Sequence, residues 1–223
     1  MSTPRDATII PYLKTIWILQ HEEHSRVGVT ILSERLSKAP ATVSQAVRAL
    51  AKARLLHHKP YGPIELTLKG EQLALKVIRN DRIARAFLHR VLDYPWPEVA
   101  KEAHALLPVL HDDLANRLHQ ASGAPLTDPY GNPIPGTDAS SLRGARPLTE
   151  QPLRTELELL RVPDAEPALL DRLDALGLVP GRLVSVERVD YTTEVIDLIC
   201  NDTTCTIGTH AAHQILAART TGK

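Results

Sequence analysis

The chain has 223 residues, 43% hydrophobic and 4% aromatic, enough for a buried core and too few rings for a single-strand base-stacking platform. Its 2 cysteines exclude a disulfide-built scaffold, and no apolar run approaches the ~18 residues of a membrane span. The net charge of zero hides an asymmetry: residues 1–70 carry ten Lys/Arg against five Asp/Glu, whereas residues 122–223 carry nine against fourteen. Residues 35–64 hold six basic side chains (Arg35, Lys38, Arg48, Lys52, Arg54 and Lys59) and no acidic one, which points to a polyanion bound at one place. Met1–Asp6 has no apolar leader segment, and the expectation is a cytoplasmic chain with no membrane partner.

The elements follow in order. Tyr12, Leu13, Ile16, Trp17 and Leu19 recur at the helical period. After a break at Ser25–Gly28, Thr30 is expected to cap a short helix from Ile31 to Ser37. Lys38-Ala39-Pro40 interrupts it, and a third helix is predicted over Ala41–Arg54. That helix keeps Val43, Val47 and Leu50 on one face and Thr42, Ser44, Gln45, Arg48 and Lys52 on the other. Two short strands, Leu55–Lys59 and Ile64–Leu68, flank the turn residues Pro60-Tyr61-Gly62-Pro63. Helix, helix, turn, polar-faced helix and hairpin is the order of a winged helix-turn-helix. The acid-free basic stretch covers its turn, third helix and wing.

A long helix is predicted over Glu71–Leu92, with Leu73, Val77, Ile83, Phe87 and Val91 as its stripe. Pro95-Trp96-Pro97 starts the next helix, which runs from Glu98 to Leu107, is cut at Pro108, and is followed by another to Gln120. Two antiparallel helices and a short third leave a wide stripe for a second subunit. Residues 122–147, with five prolines and four glycines, read as a linker. Beyond it come the strand-like runs Leu157–Val162, Leu183–Val189, Val195–Ile199 and Cys205–Ile207, and a helix Ala168–Leu176 closed by Gly177. Thr209 is expected to cap a last short helix.

The fold expected is therefore mainly α, with a small C-terminal β-barrel. Its parts are a winged helix-turn-helix over 1–70, a helical dimerisation domain over 71–121, a linker over 122–147 and the barrel over 148–223. There is no Gly-rich phosphate loop, nucleophile elbow or His-Glu-x-x-His, so no enzyme is expected.

These residues resemble a known family, the diphtheria-toxin-repressor-like (DtxR/IdeR/MntR) transcription regulators. Tyr12-Leu13-Lys14-Thr15-Ile16 is similar to the family's first helix, Pro40–Val47 to its recognition segment, and Leu66–Gly70 to the return of its wing. Asp128-Pro129-Tyr130-Gly131-Asn132-Pro133-Ile134-Pro135-Gly136 is the most specific match, and Leu173–Gly181 resembles its SH3-like, FeoA-type terminal domain. The resemblance implies a homodimer, most naturally a repressor, on a palindromic double-stranded operator. Gln45 would approach bases, Thr42, Ser44 and Ala41 would lie at the interface, and Arg35, Lys38, Arg48, Lys52 and Lys59 would meet the backbone.

The resemblance also implies Mn²⁺ or Fe²⁺ as activator, and here the chain departs from its family. The ligand positions of the first helix fall at Pro11 and Lys14. The long helix's His-x-x-x-Glu becomes Asp81-Arg82-Ile83-Ala84-Arg85, and the next helix offers Ala100 and His104-Ala105-Leu106-Leu107-Pro108. Only Asp81 and His104 could ligate a metal, and Arg85 places a cation where a carboxylate belongs. The expectation is a degenerate metal site and metal-independent DNA binding, with Arg85 as the charge substitute, paired on its helix with Asp81. Asp164, Glu166 and Asp171 stand near the place where the family's third domain reaches an ancillary metal. Two rivals stay open: a Mn/Fe-responsive repressor with a rearranged site, and a dimeric adaptor that no longer binds DNA.

Cys200 and Cys205, with His210 and His213, leave a zinc or redox site open. Asn201-Asp202 between the cysteines reads instead as a hairpin turn. His111 and His119 read as surface or core histidines.

Overall fold

The computed structural model describes residues 9–58, 62–138, 142–164 and 166–220. The chain divides into two compact units, residues 1–81 with 105–114, and residues 82–104 with 115–223.

The first unit opens with α1 (Ile10–His21), α2 (Val29–Leu36) and α3 (Pro40–Lys52), then β1 (Leu56–His58) and β2 (Ile64–Leu66). The α1 stripe of Tyr12, Leu13, Ile16 and Leu19 is buried against Leu32, Val43, Val47, Leu50 and Ile64. The two strands pair antiparallel with Leu56 opposite Leu66, and Ile64 donates its N–H to Val27 O at 3.0 Å, tying the wing to the loop before α2. Thr30 does not cap α2: the helix already starts at Val29, behind Gly28, with no side-chain cap. The turn into α3 is made by Ser37 in the left-handed region (φ 50°), followed by Pro40 in the first turn of α3.

The long helix, α4 (Leu68–Leu92), begins three residues earlier than the predicted Glu71. Thr67 is the reason. Its Oγ1 accepts the Gly70 N–H at 3.0 Å and donates to Arg54 O at 2.8 Å, so one hydroxyl caps the helix and holds it to the end of α3. Gly70 must lack a side chain, because a Cβ there would overlap the Leu55 carbonyl oxygen. The predicted second strand accordingly ends at Leu66. Toward the end of this unit Asn80 donates to Leu110 O at 3.2 Å.

A 3₁₀ turn (Trp96–Glu98) leads into α5 (Val99–Leu106), and α6 spans Asp112–Ala121; residues 105–114 of this stretch belong to the first unit and the rest to the second. The stretch expected as a linker holds a buried turn at its centre: Asp128, Tyr130, Asn132 and Ile134 are all buried. Composition misled here, since its prolines and glycines build a packed turn instead of a spacer. The C-terminal strands are β3 (Arg146–Pro147), β4 (Glu156–Arg161), β5 (Leu183–Asp190), β6 (Val195–Cys200), β7 (Thr203–Gly208) and β8 (Leu216–Arg219), with α7 (Pro167–Ala175) and α8 (Thr209–Gln214). They form one antiparallel sheet in the order β3-β8-β4-β5-β6-β7. Among the described residues it does not close into the expected barrel. One edge, β3, is two residues long and ends in Pro147, which has no N–H for a further ladder. Alternating Val184, Val186, Ile196, Leu198, Cys205 and Ile207 form the sheet's buried side. Gly177 closes α7 at φ 68°, as expected, whereas α8 starts at Thr209 behind Gly208 with no side-chain cap.

Candidate nucleic-acid interface and metal positions

α3 has two chemically distinct faces. Val43, Val47 and Leu50 are fully buried in the core, which leaves Ala41, Thr42, Gln45, Arg48 and Lys52 exposed and Ser44 half-buried on the opposite side. Lys38, just before the helix, is exposed as well. No acidic side chain on the described residues pairs with Lys38, Arg48 or Lys52, so their charges face outward without an internal counter-ion. Arg35 differs. Its guanidinium already pairs with Glu23 at 2.6 Å, so a phosphate would have to compete for it. Lys59 lies outside the described residues.

Of the positions that the family resemblance assigns to metal ligands, two hold cations, Lys14 and Arg85, and each cation meets a carboxylate. In the first unit the Lys14 ammonium lies 2.6 Å from Asp81 Oδ2, with the Asp81 side chain 1% exposed and Lys14 17%. Pro11, in the first turn of α1, has no donor atom. In the second unit the Arg85 guanidinium pairs with Asp128 at 3.1 Å and with Asp164, which precedes α7, and lies over the Tyr130 ring at 5.3 Å. Asp164 is thus the C-terminal carboxylate that meets Arg85. His104 is exposed on α5, Leu107 is buried, and Pro108 and Ala100 bring no side-chain donor. Among the described residues no three His, Cys, Asp or Glu side chains gather to hold a metal ion. Proline, ammonium, guanidinium and alkyl groups do not fit Mn²⁺ or Fe²⁺, which need carboxylate, imidazole or thiolate donors.

Around Arg85 the buried turn is built on Asp128. Its Oδ1 accepts the N–H groups of Tyr130 at 3.0 Å and Asn132 at 2.9 Å. Burial pushes the Asp128 carboxyl above its ordinary range, while the Arg85 and Arg82 charges pull it back down. Arg82 itself donates to Pro133 O at 2.6 Å. The Tyr130 hydroxyl donates to Trp96 O at 2.9 Å and accepts the Ala100 N–H at 3.1 Å, and burial raises its pKa. Val162 donates its N–H to Tyr130 O at 2.9 Å, which docks the end of β4 on this turn. Gly131, at φ +86°, comes so close to β4 that a Cβ would overlap Leu160 O. Asp128 and Tyr130 had no assigned role in the sequence. The available signal was an aspartate followed two and four residues on by backbone donors, the pattern of an Asx turn.

The remaining candidates resolve as structural groups. His111 Nδ1 accepts the Leu114 N–H at 3.2 Å at the start of α6, and His119 Nε2 meets Pro125 O at 2.9 Å. Cys200 and Cys205 are both buried free thiols, and they are not opposite one another: Cys200 faces Thr203 and Cys205 faces Leu198. Asn201 and Asp202 form the expected turn, with φ of 50° and 58°. His213 is engaged with Thr149 and His210 with Gln214, so the zinc reading is not assembled. Burial raises the Cys205 thiol pKa, which opposes reactivity.

Residues 7–64 match the family model for the iron dependent repressor N-terminal DNA binding domain, and residues 67–136 that for its metal binding and dimerisation domain. Residues 146–219 match the FeoA domain. The iron-dependent repressor IdeR of Mycobacterium leprae is 34% identical over 221 residues, covering 92% of this chain and 94% of that protein. The chain belongs to the iron-dependent repressor family. Another relative in the family, the diphtheria toxin repressor of Corynebacterium diphtheriae, is 33% identical over 131 residues, 57% of this chain and 56% of that protein. Among solved structures, a manganese-dependent transcriptional repressor in complex with manganese superposes with a TM-score of 0.84 at 29% identity, covering 94% of this chain and 99% of that one. The relatives are named as repressors and not as enzymes.

Proposed function

We propose that this protein is a homodimeric, sequence-specific DNA-binding regulator, a repressor acting on a palindromic operator from the cytoplasm. The observation that carries this reading is the two-sided α3, whose buried Val43, Val47 and Leu50 aim Thr42, Gln45, Arg48 and Lys52 outward. A glutamine amide matches the adenine edge, hydroxyls donate to phosphate, and cations supply the salt-dependent backbone attraction. Gln45 is the base reader, Thr42, Ser44 and Ala41 position the helix, and Arg35, Lys38, Arg48, Lys52 and Lys59 hold phosphates.

Metal is not the activator in this reading. Asp81 and His104 are the only ligand-bearing family positions, and the Arg85 guanidinium stands as permanent charge between Asp128 and Asp164. The organisation that goes with it is a winged helix-turn-helix over 1–70, a dimerisation domain over 71–121, a connecting segment over 122–147 and an SH3-like module over 148–223.

Incubating the chain with fragmented genomic DNA, and sequencing what is retained at rising salt, tests the reading. Recovery of one palindromic motif supports it, and its loss in Gln45→Ala assigns the base contact. Retention of no DNA even at low salt favours an adaptor that works through its third domain. The names of the relatives favour a second reading, a repressor that still answers to Mn²⁺ or Fe²⁺ through a rearranged site. Selection performed in chelator distinguishes that case, since such a repressor would recover its motif only when metal is returned.

A further inference from the structure

We propose that Lys14 is a positioning residue for DNA binding: its ammonium is the resident cation that holds Asp81, and through it α1, in the working arrangement of the DNA-binding module. The inference rests on the DNA-binding reading above and deepens it.

Three observations carry it. First, the Asp81 carboxylate is 1% exposed, and a carboxylate so buried needs a cation against it to stay charged. Second, the cation is there, 2.6 Å away, and it comes from the first helix of the module, 67 residues earlier in the chain. The pair therefore joins α1, whose Leu13 and Ile16 line the winged-helix core, to α4. Third, both positions are ones where the family resemblance implies ligands to an ion. The ion's electrostatic task persists here, because a buried carboxylate persists. A covalently attached ammonium performs it at every metal concentration, and its charge and volume also keep a divalent ion from entering. Arg85 repeats the substitution independently, on Asp128 and Asp164 in the second unit.

An ammonium in place of a metal makes a reversible prediction. Lys14→Glu puts a second carboxylate against Asp81; the two repel when both are charged, and together they offer oxygen donors suited to Mn²⁺. The experiment uses the full chain and duplexes that the wild type selects from a randomised library in EDTA. Wild-type affinity is expected to stay within about twofold between EDTA and millimolar Mn²⁺. K14E is expected to lose roughly tenfold or more in EDTA and to regain most of it with Mn²⁺. Thermal melting of the same samples guards against misfolding: Mn²⁺ should raise the Tm of K14E and leave the wild type unchanged. K14E that binds in EDTA like the wild type, that loses binding Mn²⁺ does not restore, or that is unfolded with and without Mn²⁺ overturns the proposal. A wild type that selects nothing, or selects only with metal, instead overturns the reading on which it rests.

Discussion

Arg85 and Asp128 are joined by a buried ion pair, Nη1 to Oδ2 at 3.1 Å, with the two side chains 6% and 0% exposed. Such a pair contributes little against a well-packed apolar replacement, but removing one partner strands the other. Arg85→Met would leave Asp128 without its main cation and the Tyr130–Asn132 turn held by a destabilised carboxylate. The expected loss is about 3–5 kcal/mol in denaturant unfolding. A loss under about 1 kcal/mol would mean that the turn does not depend on this charge.

The proposed division of α3 into a base-reading residue and phosphate-holding residues is separable by substitution. Gln45→Ala should cost about 1–3 kcal/mol on the selected operator and relax preference at the contacted base pair. Arg48→Ala should weaken all sequences alike and reduce the salt slope by about one phosphate equivalent. Binding titrations over several salt concentrations read both. Equal effects of the two changes on specificity would contradict the assignment.

The Gly131 contact tests the docking of the 128–132 turn on β4. Alanine there adopts φ +86° at a cost and overlaps Leu160 O, so Gly131→Ala should destabilise the second unit by about 2 kcal/mol or more. Hydrogen exchange at Val162 N–H, which donates to Tyr130 O, should accelerate in parallel. Unchanged protection at Val162 would show that the turn and β4 are not coupled.

Acid should loosen the C-terminal sheet at a defined place. Backbone and side-chain donors of Thr193, then Thr192 N–H, hold the Asp190 carboxyl below its ordinary 3.8, and the Thr206 hydroxyl and Arg188 do the same for Asp197. Both groups therefore contribute stability above pH 3.8 that is lost as pH falls through their lower folded values. Asp128, raised by burial, has the opposite sign and gains relative to the unfolded chain on acidification. The Thr192 and Thr193 amides should lose protection below pH 3.8, and Asp190→Asn, which keeps the acceptor and removes the titration, should flatten that response. A response that survives in Asp190→Asn would point to another carboxylate.

Local periodicity was enough to find the winged-helix core, because Val43, Val47 and Leu50 repeat at helical spacing and all three are buried. The start of α4 is not legible in the apolar spacing, because it is set by Thr67, which caps the helix, and by Gly70, which makes room for Leu55 O. Composition also disguised the Asp128–Ile134 turn, since prolines and glycines signal a linker unless their partners across the fold are known. Family resemblance flagged Lys14 and Arg85 as misfits, but their carboxylate partners lie 67 residues away for Lys14, and 43 and 79 away for Arg85. No periodic pattern reports a pairing of that range. The spacing of the two cysteines does not show that the β6–β7 register sets them two residues out of line.

Metal-independent DNA binding, as proposed, is decided by the operator affinity of the chelator-stripped chain, measured before and after adding Mn²⁺, Fe²⁺ or Zn²⁺. Strong sequence-selective binding in chelator, unchanged by any of the three ions, is the predicted result. Binding that appears only when a metal is added would contradict it and would mean that Lys14 and Arg85 do not replace the ion.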